Sequence, residues 1–202
     1  FHAVLRESYR REREQEKERY HNEIIGYHGS EEGLETLLGY QLFSIGNRAD
    51  SAALVYQVDY VLDGYVKKAG TNFVLSVGRL IGSQPELKGE QRLRKEDIYW
   101  EMPRCYQWDI TVNLPEGYRI SPEGLERLNV KVENDCGAFI VQATTEDGTL
   151  RIKAEKRINH KTEPVANWEK LLEITDAANS YEALSIVFQA TINPPTSPTT
   201  GY

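Results

Sequence analysis

Cysteine occurs only twice in this 202-residue chain and histidine only four times. Neither Cys105 nor Cys136 has a second Cys or a His at ligand spacing, so the sequence offers no metal site. The two could form one disulfide or stay free. Long apolar runs are missing too. No stretch approaches the 18 or more residues that a membrane-spanning helix needs, so no transmembrane segment is expected. No short period repeats, which excludes a solenoid or collagen. Basic charge is not in excess: 24 Lys and Arg stand against 31 Asp and Glu, for a net charge of −7. Phosphate-backbone binding needs clustered Lys and Arg, so nucleic acid is not an expected partner. Catalytic signatures are also absent. No G-x-S-x-G, H-E-x-x-H, P-loop or G-x-G-x-x-G occurs, and no cofactor is implied.

Aromatic residues are plentiful: three Trp, twelve Tyr and five Phe are too many for a disordered chain. From Leu5 to about residue 25 the sequence has strong helix formers and neither Gly nor Pro. Glu7 and Arg11, Arg10 and Glu14, and Arg19 and Glu23 are spaced for pairing along a helix. The apolar stripe Leu5, Tyr9, Tyr20, Ile24 is interrupted, so the helix reads as a solvated connector rather than a coiled coil. The chain begins Phe1-His2-Ala3-Val4, which suggests an excised piece of a longer protein.

After Gly39 the period changes to two. Tyr56, Val58, Tyr60 and Leu62 alternate with Gln57, Asp59, Val61 and Asp63, and Tyr106, Trp108, Ile110, Val112 and Leu114 alternate with polar residues. Such alternation marks antiparallel strands with one buried face. Segments 130–133, 138–144 and 149–156 continue it, joined by Asn134-Asp135-Cys136-Gly137 and by Glu146-Asp147-Gly148 with its Asp-Gly hairpin signal. Ser121-Pro122-Glu123 opens a short helix, and residues 165–179 carry a helical stripe with Trp168, Leu171 and Leu172. Leu184, Ile186, Phe188 and Ala190 form a last strand. The fold class is therefore mainly β: an antiparallel β-sandwich with an N-terminal charged helix and one or two short helices. The expected divisions are a connector over 1–38, the sandwich over 39–192 and a flexible tail over 193–202, rich in Pro and Thr.

The chemistry is sparse. No His lies in a motif that places it beside Cys105 or Cys136, so no catalytic residues are assigned. Asp59, Asp63 and Asp109 on polar strand faces are the candidates for a paired-carboxylate hydrolase, the least favoured reading. Tyr99, Trp100 and Tyr118 are candidates for stacking on a glycan or a peptide, although large aromatics more often build a core. Trp100, Tyr106 and Trp108 have the parity of core residues. Arg79, Arg92 and Arg94 are candidates for an interdomain contact.

Several phrases carry a family likeness. They are Tyr60-Val61-Leu62-Asp63-Gly64-Tyr65-Val66-Lys67-Lys68-Ala69-Gly70, Val77-Gly78-Arg79-Leu80-Ile81-Gly82-Ser83-Gln84, Leu114-Pro115-Glu116-Gly117-Tyr118, Val132-Glu133-Asn134-Asp135-Cys136-Gly137-Ala138-Phe139, and Trp168-Glu169-Lys170-Leu171-Leu172 with Asp176-Ala177-Ala178. Over residues 50–190 the chain resembles the region after the catalytic core in bacterial multidomain proteins. Those proteins carry a transglutaminase-like core between β-rich domains of unknown function. The family's Cys-His-Asp set belongs to the upstream core, and no segment here matches it. The resemblance implies a C-terminal accessory domain, non-enzymatic in itself, whose partner is the upstream domain of the same polypeptide. It also implies export to the periplasm or cell envelope.

Overall fold

The computed structural model describes residues 34–47, 52–101 and 103–191, together with the isolated positions 14, 15, 18, 19 and 22. Those five are helical and exposed, in keeping with a solvated helix there. Residues 34–38 of the expected connector are strand, and its other residues and the tail over 193–202 lie outside the described residues. The fold is mainly β, and every strand pair is antiparallel. The chain divides into two compact units, Phe1–Tyr65 and Val66–Tyr202.

In the first unit, β1 (Leu34–Asn47) pairs with β2 (Ala52–Leu62) as a two-stranded ribbon. Strand structure thus starts before Gly39, and the ribbon falls within the first of the two units. Among the described residues, β1 and β2 pair with each other and with no further strand. The alternation in β2 is real, but Tyr56 and Tyr60 remain partly exposed, because two strands alone cover neither face. Three register shifts bend the ribbon.

The second unit holds two four-stranded sheets and a small ribbon. One sheet has the order β6-β10-β9-β8, with β6 at Arg104–Asn113, β8 at Val130–Asn134, β9 at Gly137–Glu146 and β10 at Thr149–Ile158. Phe139, Val141 and Ala143 of β9 and Leu150, Ile152 and Ala154 of β10 are buried, while Gln142 and Thr144 face water. This is the period-two pattern. The β9–β10 turn takes positive φ at both Asp147 (48°) and Gly148 (72°). Both values suit the mirror-image turn that Asp-Gly favours.

The other sheet has the order β3-β4-β12-β7, with β3 at Val66–Ala69, β4 at Asn72–Leu75, β7 at Tyr118–Ile120 and β12 at Ile186–Ala190. The ribbon pairs β5 (Ile98–Tyr99) with β11 (Thr162–Glu163).

Two helices complete the unit. Ser121 Oγ accepts the Gly124 N–H at 3.0 Å and caps the short helix Pro122–Glu126. The long helix Trp168–Glu182 buries Leu171, Ile174, Ala178 and Tyr181, spaced three and four apart along one stripe. That stripe lies against β8, β9 and the 3₁₀ turn Val77–Ile81. Tyr181 meets Phe139 edge-on, with ring centroids 5.7 Å apart. Each fully buried side chain of this size contributes about 1.5–3 kcal/mol. Gly78 sits where this turn meets the helix end: a Cβ there would collide with the Tyr181 carbonyl, and its N–H donates to the Leu184 carbonyl at 3.0 Å.

Candidate functional site

One end of the second unit gathers Arg92, Arg94, Tyr99, Trp100 and Cys136 of the residues singled out from sequence. Ile98, Cys136 and Leu171 form a small core there, with Trp100, Ile158 and Trp168 packed against it. It joins β5, the β8–β9 turn, the end of β10 and the start of the long helix. Alternation along β5 turns Ile98 inward and leaves Tyr99 63% exposed. Lys161 lies over the Tyr99 ring, 5.2 Å from its centroid. The Arg94 guanidinium lies 5.4 Å from the Trp168 ring centroid, a cation–π placement. Trp168 Nε1 donates to the Arg92 carbonyl at 2.8 Å. Arg92 grips Asp176 with two parallel bonds of 2.8 and 2.7 Å. Leu93, between the two arginines, is 74% exposed.

Beneath this surface lies a buried carboxylate. Glu163, 2% exposed, meets His160 Nδ1 at 2.6 Å and the Asn167 amide at 2.8 Å. The Cys136 thiol is its third neighbour. Burial alone would raise the Glu163 carboxyl, but the bonds from Asn167, His160 and Cys136, with the His160 charge, outweigh it and hold the group below the usual glutamate range. The β8–β9 turn is fixed around the same point. Asn134 Oδ1 accepts the Cys136 N–H at 3.0 Å, and Lys170 Nζ bonds both Asp135 oxygens at 2.9 Å.

Cys136, Glu163 and His160 hold the residue types of a thiol catalytic set but the wrong order. A nucleophilic Cys needs the imidazole as its direct base. Here the carboxylate stands next to the sulfur. Burial, and then the carboxylates of Glu163 and Asp135, push the Cys136 thiol up to about 11. It is therefore a thiol rather than a thiolate near neutral pH. The cluster acts as an anchor: one carboxylate ties β11, the turn into the long helix and the β8–β9 turn together.

The other sequence candidates fall as follows. Of the two states left open for the cysteines, the structure has the free one. Cys105 is exposed on β6, and β10 lies between that strand and β9, whose leading turn holds Cys136. Two strand spacings are roughly 9–10 Å, beyond the reach of a disulfide. Tyr106 is 48% exposed rather than core, and Trp108 is only half-buried, because among the described residues β6 is an edge strand. Their rings stack at 6.0 Å. Tyr118 is not with Tyr99 and Trp100. It lies on β7 with its ring tilted against Phe73, centroids 5.1 Å apart, and its hydroxyl donates to the Thr71 carbonyl. Arg79 lies in the 3₁₀ turn Val77–Ile81, apart from Arg92 and Arg94.

Each of the three candidate carboxylates has a local partner within its own unit. Asp59 accepts from the Gln57 amide and Asp63 from the Gly64 N–H, both in the first unit. Asp109, in the second unit, faces Lys153 across the ladder. It borders an open groove of about 590 Å³ on the outer face of the sheet, shared with Gln107, Gln142, Lys153, Glu155 and Arg157. Glu155 takes bonds from Gln107 at 3.0 Å and Arg157 at 2.6 Å, and these hold its carboxyl below the usual range. A general acid needs the opposite shift.

Sequence reasoning missed Glu163 beside Cys136, and Asn167 and His160 as the partners of Glu163. Their signal was local: His160, Glu163 and Asn167 at steps of three and four, around Pro164 at the entry to a helix.

These observations define an all-antiparallel β domain with one long packed helix and an aromatic, basic end. A family model for a domain of unknown function with a solved structure, DUF3858, matches residues 77–188, more than half of the chain. The chain belongs to this family. No curated protein and no solved structure matches it.

Proposed function

We propose that this chain is a non-enzymatic accessory domain that packs, through the end bearing Leu93, Arg94 and Tyr99, against an upstream domain of the same polypeptide. The resemblance noted above makes that partner a transglutaminase-like, papain-like core, and the setting an exported bacterial envelope protein. The carrying observation is the exposure of Leu93, next in the chain to Arg94 with its cation–π contact to Trp168, and of Tyr99 beneath Lys161, around an end held in place by Glu163. Exposed apolar and aromatic groups rimmed by charge are the usual content of a docking surface. The protonated Cys136 thiol and the lowered Glu155 carboxyl support a structural rather than a catalytic role.

The test uses the parent polypeptide. Leu93→Asp and Tyr99→Ala should separate the unfolding of the core from that of this domain, and open the junction to limited proteolysis. A parent with no such core, or variants that unfold as the wild type does, overturns the reading. Fractionation of the source cells checks the location, since recovery from the cytosol contradicts export.

A second reading, a glycan- or peptide-binding module, is favoured by one observation, the open Tyr99 face beneath Lys161. Binding to a glycan or peptide array that Tyr99→Ala abolishes would support it over interdomain packing.

A further inference from the structure

The edges of the two four-stranded sheets are not alike. β3 carries Lys67 and Lys68, β7 has three residues, and β8 has five including Lys131. Short strands and lysines are the usual guards against edge-to-edge pairing. β6 has neither. It runs ten residues, Arg104-Cys105-Tyr106-Gln107-Trp108-Asp109-Ile110-Thr111-Val112-Asn113, in unbroken register with β10 and without Lys, Pro or a bulge. Its apolar face is incompletely covered along the whole strand: Tyr106 is exposed, and Trp108, Ile110 and Val112 are half-buried.

The direction of its free backbone groups follows from the ladder. Leu114 N–H donates to the Gly148 carbonyl, one step beyond the Asn113–Thr149 pair. Even-numbered residues of β6 therefore point their backbone groups toward β10. Cys105, Gln107, Asp109, Thr111 and Asn113 point theirs away from the sheet.

We infer that β6 is the interface of a twofold homodimer, in which β6 of a second copy of this chain pairs with it antiparallel and centred on Trp108. A twofold antiparallel pair must set residues of equal parity opposite each other to keep the faces aligned. Centring on Trp108 places Gln107 against Asp109 of the second copy, twice by symmetry. An amide thus meets a carboxylate at both outward-bonding positions. It also sets Cys105 against Thr111 of the second copy and Tyr106 against Ile110 of the second copy. The two Trp108 side chains meet at a non-hydrogen-bonded position, where side chains approach most closely. Centring on Asp109 would oppose like charges. The product is one continuous eight-stranded sheet whose half-covered apolar strip is closed by its own copy.

Sedimentation of the full chain at concentrations up to about 0.5 mM, where interfaces of modest area associate, should show a dimer. Gln107→Lys should tighten it and Gln107→Glu weaken it, the two symmetric contacts changing the dissociation constant about tenfold in opposite directions. Register is read separately. Thr111→Cys should give a disulfide-linked dimer on mild oxidation, through Cys105 of the second copy. Thr111→Cys with Cys105→Ser should not. Circular dichroism confirms that each variant is folded. A monomer at every concentration, a dimer indifferent to both Gln107 variants, or a folded Thr111→Cys protein that does not cross-link overturns the inference. So does occupation of β6 by a different polypeptide.

Discussion

Glu163 Oε1 lies 2.6 Å from His160 Nδ1, yet the carboxylate side chain is 2% exposed and the imidazole 56%. The pair spans the boundary between core and water. Glu163 therefore works as a buried charge kept ionised by its neighbours.

Acid stability should report that carboxylate. Its folded pKa lies below the roughly 4.3 of an unfolded glutamate. Its contribution is then complete above that value and is lost as pH falls through the folded pKa. Asp135 and Asp176 are also lowered, by Lys170 and Arg92, and add to the same slope. Glu163→Gln should cost about 1–3 kcal/mol at neutral pH. It should also flatten the fall in urea midpoint between neutral and acid conditions. A variant with the wild-type slope would show that Glu163 is not ionised in the folded state.

The two thiols should behave differently toward a colorimetric disulfide reagent. Exposed Cys105 should react at once in the native protein, whereas Cys136, buried and with its thiol pushed up to about 11, should react only in denaturant. Rapid reaction of both would mean that the β8–β9 turn opens readily.

Gly78→Ala should destabilise by about 1–3 kcal/mol, read as a lower urea midpoint. The methyl group would meet the Tyr181 and Glu182 carbonyls, and those are backbone atoms that cannot rotate away. A neutral result would mean that the 3₁₀ turn Val77–Ile81 can slide off the helix end.

Tyr181→Phe should be neutral or stabilising. The Tyr181 hydroxyl is buried, and no described residue hydrogen-bonds it. Burial raises its pKa to about 12. Removing it relieves a desolvation cost of about 1–3 kcal/mol and leaves the ring on Phe139. A clear loss of thermal stability would reveal a partner for that hydroxyl.

The sheet positions were legible in the sequence wherever alternation and turn chemistry agreed. β8, β9 and β10 follow from their period and from Asp147-Gly148, and the short helix follows from Ser121 and Pro122. β5 and β11 were not legible, since two residues carry no period. The first ribbon was read as the start of the larger domain because alternation reports one strand and says nothing about its partner. Tyr106 was misjudged for a related reason: parity fixes the face of a strand, but cover on that face depends on its place in the sheet. The Cys136 cluster joins residues brought together only when β11 meets the β8–β9 turn.

β12 has a consequence for how the domain is made. It is the last described strand, yet it lies inside its sheet, with Leu75 of β4 on one side and Tyr118 of β7 on the other. During synthesis, β4 and β7 must each wait with an unpaired edge until residues 186–190 leave the ribosome. A nascent chain stalled after the long helix would expose two open edges at once, so this stage should depend most on chaperones.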